Sequence, residues 1–216
     1  LYRERLYIVK FLLLGDICGP SGMNIIKDNL KKIIKEKKID FTIANGENAA
    51  DNGKGITKKN FEDLISSGVD VITSGNHIWD QKETLEIVEK EKKLIRPANL
   101  LEGQPGNGFG IFEIKNKKIA VINLIGNVFM KKGQDLFLYT EKIMKKIKLK
   151  RDADFIVIDL HGEITSEKMA LGHYLDGKVT TVVGTHTHVP TSDTQILKNG
   201  TAYQTDLGMC GDYDSV

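Results

Sequence analysis

The sequence predicts an α/β fold in which stacked mixed β-sheets are flanked by helices. Short apolar runs rich in β-formers alternate with segments whose apolar residues recur at helical spacing, which is typical of strands joined by helices. Two further pairs of runs are joined by short turns and predict hairpins, so antiparallel strands should also occur. A chain of 216 residues can bury a substantial core, and we expect a single domain over residues 1–216.

Three strand–helix units are predicted in the first half of the chain. The strands cover residues 9–14, 41–44 and 69–73. Each is followed by a helix whose apolar residues repeat at helical spacing. The apolar residues that mark the first two helices are Ile26, Leu30, Ile33 and Ile34, and Phe61, Leu64 and Ile65. In the third helix Leu85 and Val88 are expected to face inward. These units form the α/β part of the predicted fold.

The second half of the chain predicts two hairpins among further strands and helices. Asn199-Gly200, at the second turn, is a strong hairpin signal. The runs that pair are residues 108–114 with 118–125, and residues 195–197 with 203–205. The remaining elements are a surface helix over residues 133–150, a strand over 155–159, a helix over 165–175 and a strand over 179–184.

Composition indicates an ordinary globular protein rather than a nucleic-acid binder. Hydrophobic residues make up 40% of the chain and charged residues 28%, with a net charge of +2. The positive charge is nearly all lysine, whereas nucleic-acid readers favour arginine for bidentate contacts. Lys31-Lys32 and Lys145-Lys146 fall on predicted helices and are interpreted as solvated faces. We therefore expect no duplex nucleic acid as a partner.

Cysteine use and hydropathy predict a cytoplasmic protein. Cys18 and Cys210 are too few and too far apart in sequence to suggest a disulfide framework or a zinc ribbon. Lys10 and Asp16 interrupt the apolar run near the amino end, which therefore does not resemble a signal peptide. No run approaches the ~20 apolar residues of a membrane span, so no membrane partner is expected.

Five short polar motifs stand at the ends of predicted strands. Open α/β sheets place their ligand sites at the carboxyl ends of strands, so we expect the five motifs to meet at one edge. They contain four of the five histidines of the chain, which makes a chance arrangement a poor explanation. The motifs are Gly15-Asp16, Asn45-Gly46-Glu47-Asn48, Gly75-Asn76-His77, Asp159-Leu160-His161 and Gly184-Thr185-His186-Thr187-His188.

The motifs supply the donor atoms that a two-metal centre requires. Carboxylate and amide oxygens suit hard cations, and imidazole nitrogens suit borderline ones. The oxygen donors are Asp16, Glu47, Asn48 and Asn76, and the nitrogen donors are His161, His186 and His188. If Glu47 bridges, these residues fill eight ligand positions around two metals roughly 3.5–4 Å apart, a spacing suited to phosphoryl displacement. Strand-like alternation would turn His186 and His188 the same way.

Each of these residues also has an ordinary structural explanation. Asp16 after a strand could be a helix cap, and Asn48 or Asn76 could be a turn residue. A histidine such as His77 or His161 at a strand end could be a hydrogen-bonded polar residue. Separate explanations of this kind would be needed for seven residues on one edge, and we therefore favour the metal centre.

The order of the motifs resembles that of the calcineurin-like metallophosphoesterases. The longer strings at residues 44–50, 165–168, 184–189 and 200–203 resemble the YmdB-like branch, the bacterial 2′,3′-cyclic-nucleotide 2′-phosphodiesterases. The resemblance runs from Phe11 to the last residues. It implies the two-sheet sandwich of that superfamily. Because the family usually continues past the segment 208–216, the resemblance also implies a domain truncated at its carboxyl end.

The resemblance assigns roles to the motif residues. Asp16, Glu47, Asn48 and His188 would hold the first metal. Glu47 (as a bridge), Asn76, His161 and His186 would hold the second metal. His77 would donate a proton to the leaving oxygen. The two ions would be iron, with manganese or magnesium as alternatives. Cys18 stands where the wider superfamily has a histidine, but we do not count it as a ligand because Asn48 completes the coordination.

The expected activity is hydrolysis of 2′,3′-cyclic nucleotides to 3′-nucleotides by a metal-bridging hydroxide. Two alternatives remain open from the sequence. One is a phosphomonoesterase or phosphoprotein phosphatase with the same centre, since specificity depends on loops grafted onto the fold. The other is a metal-stabilised regulatory protein with incidental catalysis, although a binding module has no need of a proton donor such as His77. Residues that bind substrate are not identified, and a homo-oligomer remains open.

Overall fold

The computed structural model describes residues 8–130 and 133–214. Its strands are β1 (Phe11–Ile17), β2 (Phe41–Asn45), β3 (Val71–Thr73), β4 (Phe109–Ile114), β5 (Lys117–Ile125), β6 (Phe155–His161), β7 (Thr181–Thr185), β8 (Gln195–Ile196), β9 (Ala202–Gln204) and β10 (Met209–Cys210). Its helices are α1 (Gly19–Lys37), α2 (Lys58–Ser67), α3 (Thr84–Lys90), α4 (Leu136–Lys146) and α5 (Thr165–Tyr174).

The strands form two sheets. The first sheet has the order β10-β1-β2-β3, and all its strand pairs are parallel. The second sheet has the order β4-β5-β6-β7-β9-β8 and is mixed, because β4 and β8 each pair antiparallel with a neighbour. Both predicted hairpins are confirmed. Lys115 and Asn116 form the first turn with positive φ angles of 49° and 62°, which match the right-handed twist of the flanking strands.

Three apolar clusters arrange these elements in four layers. Phe41 and Val71 of the first sheet pack with Val121 and Val157 of the second, so one core lies between the sheets. A second cluster joins α1, α2 and α3 to the outer face of the first sheet, and a third joins α4 and α5 to the second sheet. The predicted α/β fold of stacked sheets flanked by helices is confirmed.

Several predicted details are wrong. β1 runs to Ile17 rather than ending at residue 14, because its last residues pair with both β2 and β10. Leu85 was expected to face inward but is 48% exposed. Its helix begins only at Thr84, and the buried side is formed by Ile87 and Val88.

The surface helices agree with the expected solvated lysine faces. α1 carries the first lysine pair and α4 the second, and all four side chains are exposed. α4 covers 136–146, shorter than the predicted 133–150. It starts later because Asp135 caps its amino end by accepting a hydrogen bond from Leu138 N, and it ends where Ile147 takes an extended backbone. Among the helices of the described residues, none has the length and apolar character needed to cross a membrane.

Candidate metal centre

Parallel pairing brings the polar motifs to neighbouring strand ends. In the first sheet Asp16 stands opposite Asn45, and Asn45 opposite Thr73. In the second sheet His161 stands opposite Thr185. Asp159 of β6 then connects the two sheets, since its Oδ2 accepts a hydrogen bond from Asn45 Nδ2 at 3.0 Å and one from Thr73 Oγ1 at 2.5 Å. The carboxyl ends of both sheets therefore form one edge.

Glu47 lies at the centre of this edge and is 1% exposed. Its Oε1 is 2.8 Å from His161 Nε2 and 4.0 Å from His186 Nδ1. Its Oε2 accepts a hydrogen bond from the backbone N–H of His77 at 3.2 Å. The loop that carries Glu47 is fixed by Asn45, whose Oδ1 accepts from Glu47 N at 3.0 Å. One carboxylate therefore contacts residues from both sheets.

One group of donor atoms surrounds His161 Nε2. Asn76 Oδ1 is 3.1 Å and His186 Nδ1 is 3.0 Å from this nitrogen. One ligand atom each of Glu47, His161 and His186 can be chosen so that all three lie within 4.8 Å of one another. Nitrogen and oxygen lone pairs gathered at this spacing need a proton or a cation between them. The arrangement suits one metal ion.

A second group of donors consists of Asp16, Asn48 and His188. His188 Nε2 is 3.3 Å from Asn48 Oδ1, and Asn48 Nδ2 donates to Gly53 O at 2.8 Å, which orients the amide. Asp16 Oδ2 accepts from the backbone N–H of His186 at 3.0 Å. The seven donors expected from the sequence therefore form two groups, which the loop carrying His186 and His188 connects.

Two observations test whether metal ions fit here. Among the described residues, Asp16 Oδ1 is a fully buried side-chain oxygen that accepts no hydrogen bond. Leaving such an oxygen unsatisfied is unfavourable, and a cation would satisfy it. In addition, a Cβ on Gly75 would collide with Glu47 Oε2 and His161 Nε2, so only glycine leaves this space free. The donor set and the space both fit metal ions.

Burial and mutual charge shift the pKa values of Asp16, Glu47 and His161. Burial raises the pKa of Asp16 to about 7, against the attraction of His161. Burial also acts to raise the pKa of Glu47, but the charge and hydrogen bond of His161 outweigh it and the pKa is lowered. The pKa of His161 rises to about 9, because Glu47 and Asp16 overcome the opposing effect of burial. Since a ligating imidazole must be neutral, a cation would take the place of the His161 proton.

The backbone of the last motif differs from the expectation. β7 ends at Thr185, and His186 and His188 have left-handed φ angles of 104° and 63°. The predicted strand-like alternation is therefore wrong. The physical reason is that Thr187 is bound to a buried carboxylate: its backbone N–H and Oγ1 both donate to Asp206 Oδ2, at 3.2 and 2.8 Å. The two histidines reach the centre from a bent loop.

His77 stands beside the donor cluster without joining it. Its Nδ1 is 2.6 Å from Asp80 Oδ2. An imidazole that donates its Nδ1 proton to a carboxylate keeps Nε2 for proton exchange with a substrate. Asp80 is not among the residues expected at the site, although its place three residues after His77 in the same loop is a usable signal.

Further residues that orient the histidines were also missed. Thr185 Oγ1 is 3.0 Å from His161 Nδ1 and donates to Asp159 Oδ1 at 2.8 Å, which fixes the imidazole. Glu163 Oε2 is 3.0 Å from His186 Nε2. Carboxylates of this kind commonly hold the remote nitrogen of a metal-binding histidine. Asp159 and Thr185 occur in the motifs already noted, whereas nothing in the local pattern marks Glu163.

Cys18 lies close to the donors. Its Sγ is 3.7 Å from His188 Nδ1 and 3.5 Å from the carbonyl oxygen of Asp16. Burial raises the pKa of the thiol to about 12, with Asp16 as the next cause. That Cys18 does not bind metal stays a prediction.

A two-sheet sandwich between helices, with mixed oxygen and nitrogen donors at the strand ends, is the architecture of the metallophosphoesterases. Within that class the chain belongs to the YmdB-like family: a profile of the family described as YmdB-like protein matches residues 12–216. The predicted family is confirmed. Membership of this family, together with the Glu47, His161 and His186 cluster, supports the use of metal.

Characterised and solved proteins are similar to nearly the whole chain. It is 46% identical to the 2′,3′-cyclic-nucleotide 2′-phosphodiesterase of Bacillus subtilis (strain 168) over 208 residues, 96% of this chain and 78% of that protein. A hypothetical protein from Thermus thermophilus superposes with a TM-score of 0.89 at 41% identity, covering 95% of this chain and 79% of its own. A novel phosphatase from Mycoplasma pneumoniae has a TM-score of 0.86 at 42% identity, covering 93% of this chain and 72% of its own.

Proposed function

We propose that this chain is a dinuclear metal-dependent phosphodiesterase that hydrolyses 2′,3′-cyclic nucleotides to 3′-nucleotides. The observation that carries the proposal is the position of Glu47, whose carboxylate contacts His161 of the second sheet and the backbone of His77 after the first. Its charge also acts on Asp16 and His188. The substrate class is supported by the 46% identity to a protein named for this reaction. The chemistry needs a metal centre next to a proton donor, and this edge of the sheets has residues for both.

Two ions are proposed. The first is held by Asp16, Glu47, Asn48 and His188, and the second by Glu47, Asn76, His161 and His186. Three imidazoles among mainly oxygen donors favour iron or manganese over magnesium, which prefers oxygen ligands, and we propose iron. When bound, such a pair of ions lowers the pKa of water to supply the nucleophile and neutralises the oxygens of the phosphate.

The residues of the chain have distinct tasks in this reaction. Water adds to phosphorus and the bond from phosphorus to the 2′ oxygen breaks. His77 gives a proton to the departing 2′ oxygen, and Asp80, 2.6 Å from its Nδ1, holds the imidazole in place. The buried position of Glu47 and His161 keeps their contacts shielded from water.

The proposed substrate is a small molecule, and the proposed location is the cytoplasm. Cys18 and Cys210 are both free thiols, which suits a reducing compartment. The lysine pairs on α1 and α4 belong to separate exposed faces rather than to one basic surface beside the centre. A cyclic mononucleotide therefore suits the site better than duplex nucleic acid.

The test compares esters on protein loaded with manganese or iron. Hydrolysis of 2′,3′-cyclic AMP should give 3′-AMP, identified by chromatography against both monophosphate isomers. Chelation should abolish it, and a surface variant such as Glu141→Gln, on exposed α4, should leave it unchanged. Faster release of phosphate from 3′-AMP or nitrophenyl phosphate would favour a phosphatase. Two bound metals without hydrolysis of any ester would favour a regulatory protein.

A further inference from the structure

A buried ion pair lies beneath the loop that carries His186 and His188. Lys168 of α5 and Asp206 are each 1% exposed, and Lys168 Nζ is 2.6 Å from Asp206 Oδ2. Lysine and aspartate are seldom buried to this extent. A buried ion pair is weak evidence for stability, because apolar residues of similar volume often stabilise a fold equally well. The pair therefore calls for an explanation in terms of what it holds in place.

Asp206 is the point at which the histidine loop is fixed. Besides Lys168, it accepts two hydrogen bonds from Thr187, the residue between the two histidines. The left-handed backbone of His186 and His188 is unfavourable for residues with a side chain and persists only where surrounding contacts enforce it. The paired hydrogen bonds to Thr187 are such contacts.

The same carboxylate also reaches the other side of the centre. Asp206 Oδ1 accepts from Gly208 N at 2.8 Å, and Gly208 O accepts from Asp16 N at 3.2 Å. Leu207 N donates to Gly184 O at 2.9 Å, next to the histidine loop. Asp206 therefore links Asp16 of the first sheet to His186 and His188, which follow β7 of the second sheet.

The side chain of Lys168 runs past two glycines on its way to Asp206, and a side chain at Gly184 would crowd it. Its Cδ would lie 2.7 Å from a Cβ on Gly184, and its Cε 3.9 Å from one on Gly162. Gly162 follows His161, and Gly184 precedes the histidine loop. The aliphatic part of Lys168 therefore passes between the two chain segments that supply all three imidazoles.

From these contacts we propose that Lys168 and Asp206 are positioning residues, which hold His186, His188 and Asp16 in the arrangement that binds metal. Neither residue touches the reacting atoms. Asp206 fixes the backbone between the histidines, and Lys168 supplies its counter-charge and holds α5 against the loop. This inference rests on the proposed metal centre.

The experiment measures Mn²⁺ affinity by counting free Mn²⁺ by electron paramagnetic resonance during titration of the full chain. The main variant is the double substitution Lys168→Met with Asp206→Asn, which leaves no buried charge unpaired and nearly preserves volume. The single variant Asp206→Asn accompanies it. We expect the dissociation constants to rise about 10–100-fold, the range seen when residues that orient metal ligands are lost.

The matched control is Leu171→Ala, on the same helix and fully buried, but part of the apolar cluster rather than of the loop contacts. It should lower the unfolding temperature while the Mn²⁺ dissociation constants stay within about 2-fold of the wild-type values, since the loop contacts remain. All proteins are compared at a temperature where circular dichroism shows them folded.

The outcomes separate this inference from the proposed function. Wild-type protein that binds two Mn²⁺, with weaker binding in the double variant and normal binding in Leu171→Ala, supports the positioning role. Equal affinity in the wild-type protein and the double variant overturns the inference and leaves the proposed function standing. Equal loss of affinity in Leu171→Ala also overturns it, because general destabilisation would then be the cause. Wild-type protein that binds neither Mn²⁺ in this titration nor iron by metal analysis overturns both.

Discussion

The two sheets contribute different halves of the candidate centre. The first sheet and the loops after its strands supply the oxygen donors, namely Asp16, Glu47, Asn48 and Asn76. The second sheet supplies the imidazoles of His161, His186 and His188. The oxygen side is fixed largely by parallel strand register and by short hydrogen bonds within its own loops, such as Asn45 Oδ1 to Glu47 N.

The imidazole side depends on contacts from further along the chain. His161 is held by Thr185, which is itself bound to Asp159. The ring of His186 is held by Glu163. Asp206 fixes the loop between His186 and His188. Among the described residues, both donors with a left-handed backbone are on this side. The difference teaches that most oxygen donors follow from local chain geometry. The rings of His161 and His186, and the loop that carries His188, each need a contact from elsewhere in the chain.

The largest expected effect comes from removing the residue that both halves share. Glu47→Gln should abolish turnover and remove at least one metal equivalent, because an amide has one neutral oxygen and cannot bridge two cations. Glutamine keeps the shape, so the fold should persist by circular dichroism. Metal analysis and hydrolysis of 2′,3′-cyclic AMP check this. A variant with both metals and a near-normal rate would disprove the bridging role.

His77 belongs to the oxygen side but is proposed to donate a proton rather than to bind metal. His77→Ala should keep its metals and slow turnover by about 10²–10⁴-fold, the usual contribution of general acid catalysis. The loss should be smaller for a nitrophenyl diester, whose leaving group needs little protonation.

The comparison of leaving groups decides the interpretation of the His77 variant. A positional effect would lower the rates of good and poor leaving groups alike. Equal losses on 2′,3′-cyclic AMP and on a nitrophenyl diester would therefore argue against proton donation. Asp80→Asn, which keeps a neutral hydrogen-bond acceptor beside Nδ1, should show the same trend with a smaller loss.

The contrast between the two halves also explains what the sequence could predict. β2 is buried along its whole length and ends in a polar residue, so its apolar run and the motif after it are visible locally. Parallel strands must align their carboxyl ends, and that rule alone brings Asp16, Glu47 and Asn76 to one edge.

The partners of the imidazoles could not be predicted in the same way. Lys168 lies on a helix and resembles any solvated lysine in sequence, yet it is 1% exposed. Asp206 lies 19 positions after Thr187. The left-handed conformation of His186 depends on this distant contact, and local propensity favours the strand that we expected instead. Two-residue strands such as β10 likewise depend on tertiary pairing.

Glu163 offers a direct test of the imidazole side. Glu163→Gln replaces the carboxylate at His186 Nε2 by an amide that still accepts a hydrogen bond but carries no charge. We expect Mn²⁺ affinity to fall about 10-fold, the low end of the range for residues that orient metal-binding histidines. The effect is modest because the Glu163 side chain is half exposed. Titration with Mn²⁺ measures the change, with exposed Glu141→Gln as the control. Unchanged affinity would show that His186 needs no partner.

The smallest effect is expected at Cys18, which lies between the two halves. Its Sγ is 3.7 Å from His188 Nδ1, and burial raises the pKa of the thiol to about 12. A neutral thiol packs as a small apolar group, and Asn48 is already oriented toward His188 by Gly53. Cys18→Val should therefore retain both metals and most of the activity, measured by metal analysis and hydrolysis of 2′,3′-cyclic AMP. Loss of one metal equivalent, with the fold intact by circular dichroism, would show that a bound cation deprotonates the thiol and recruits it as a ligand.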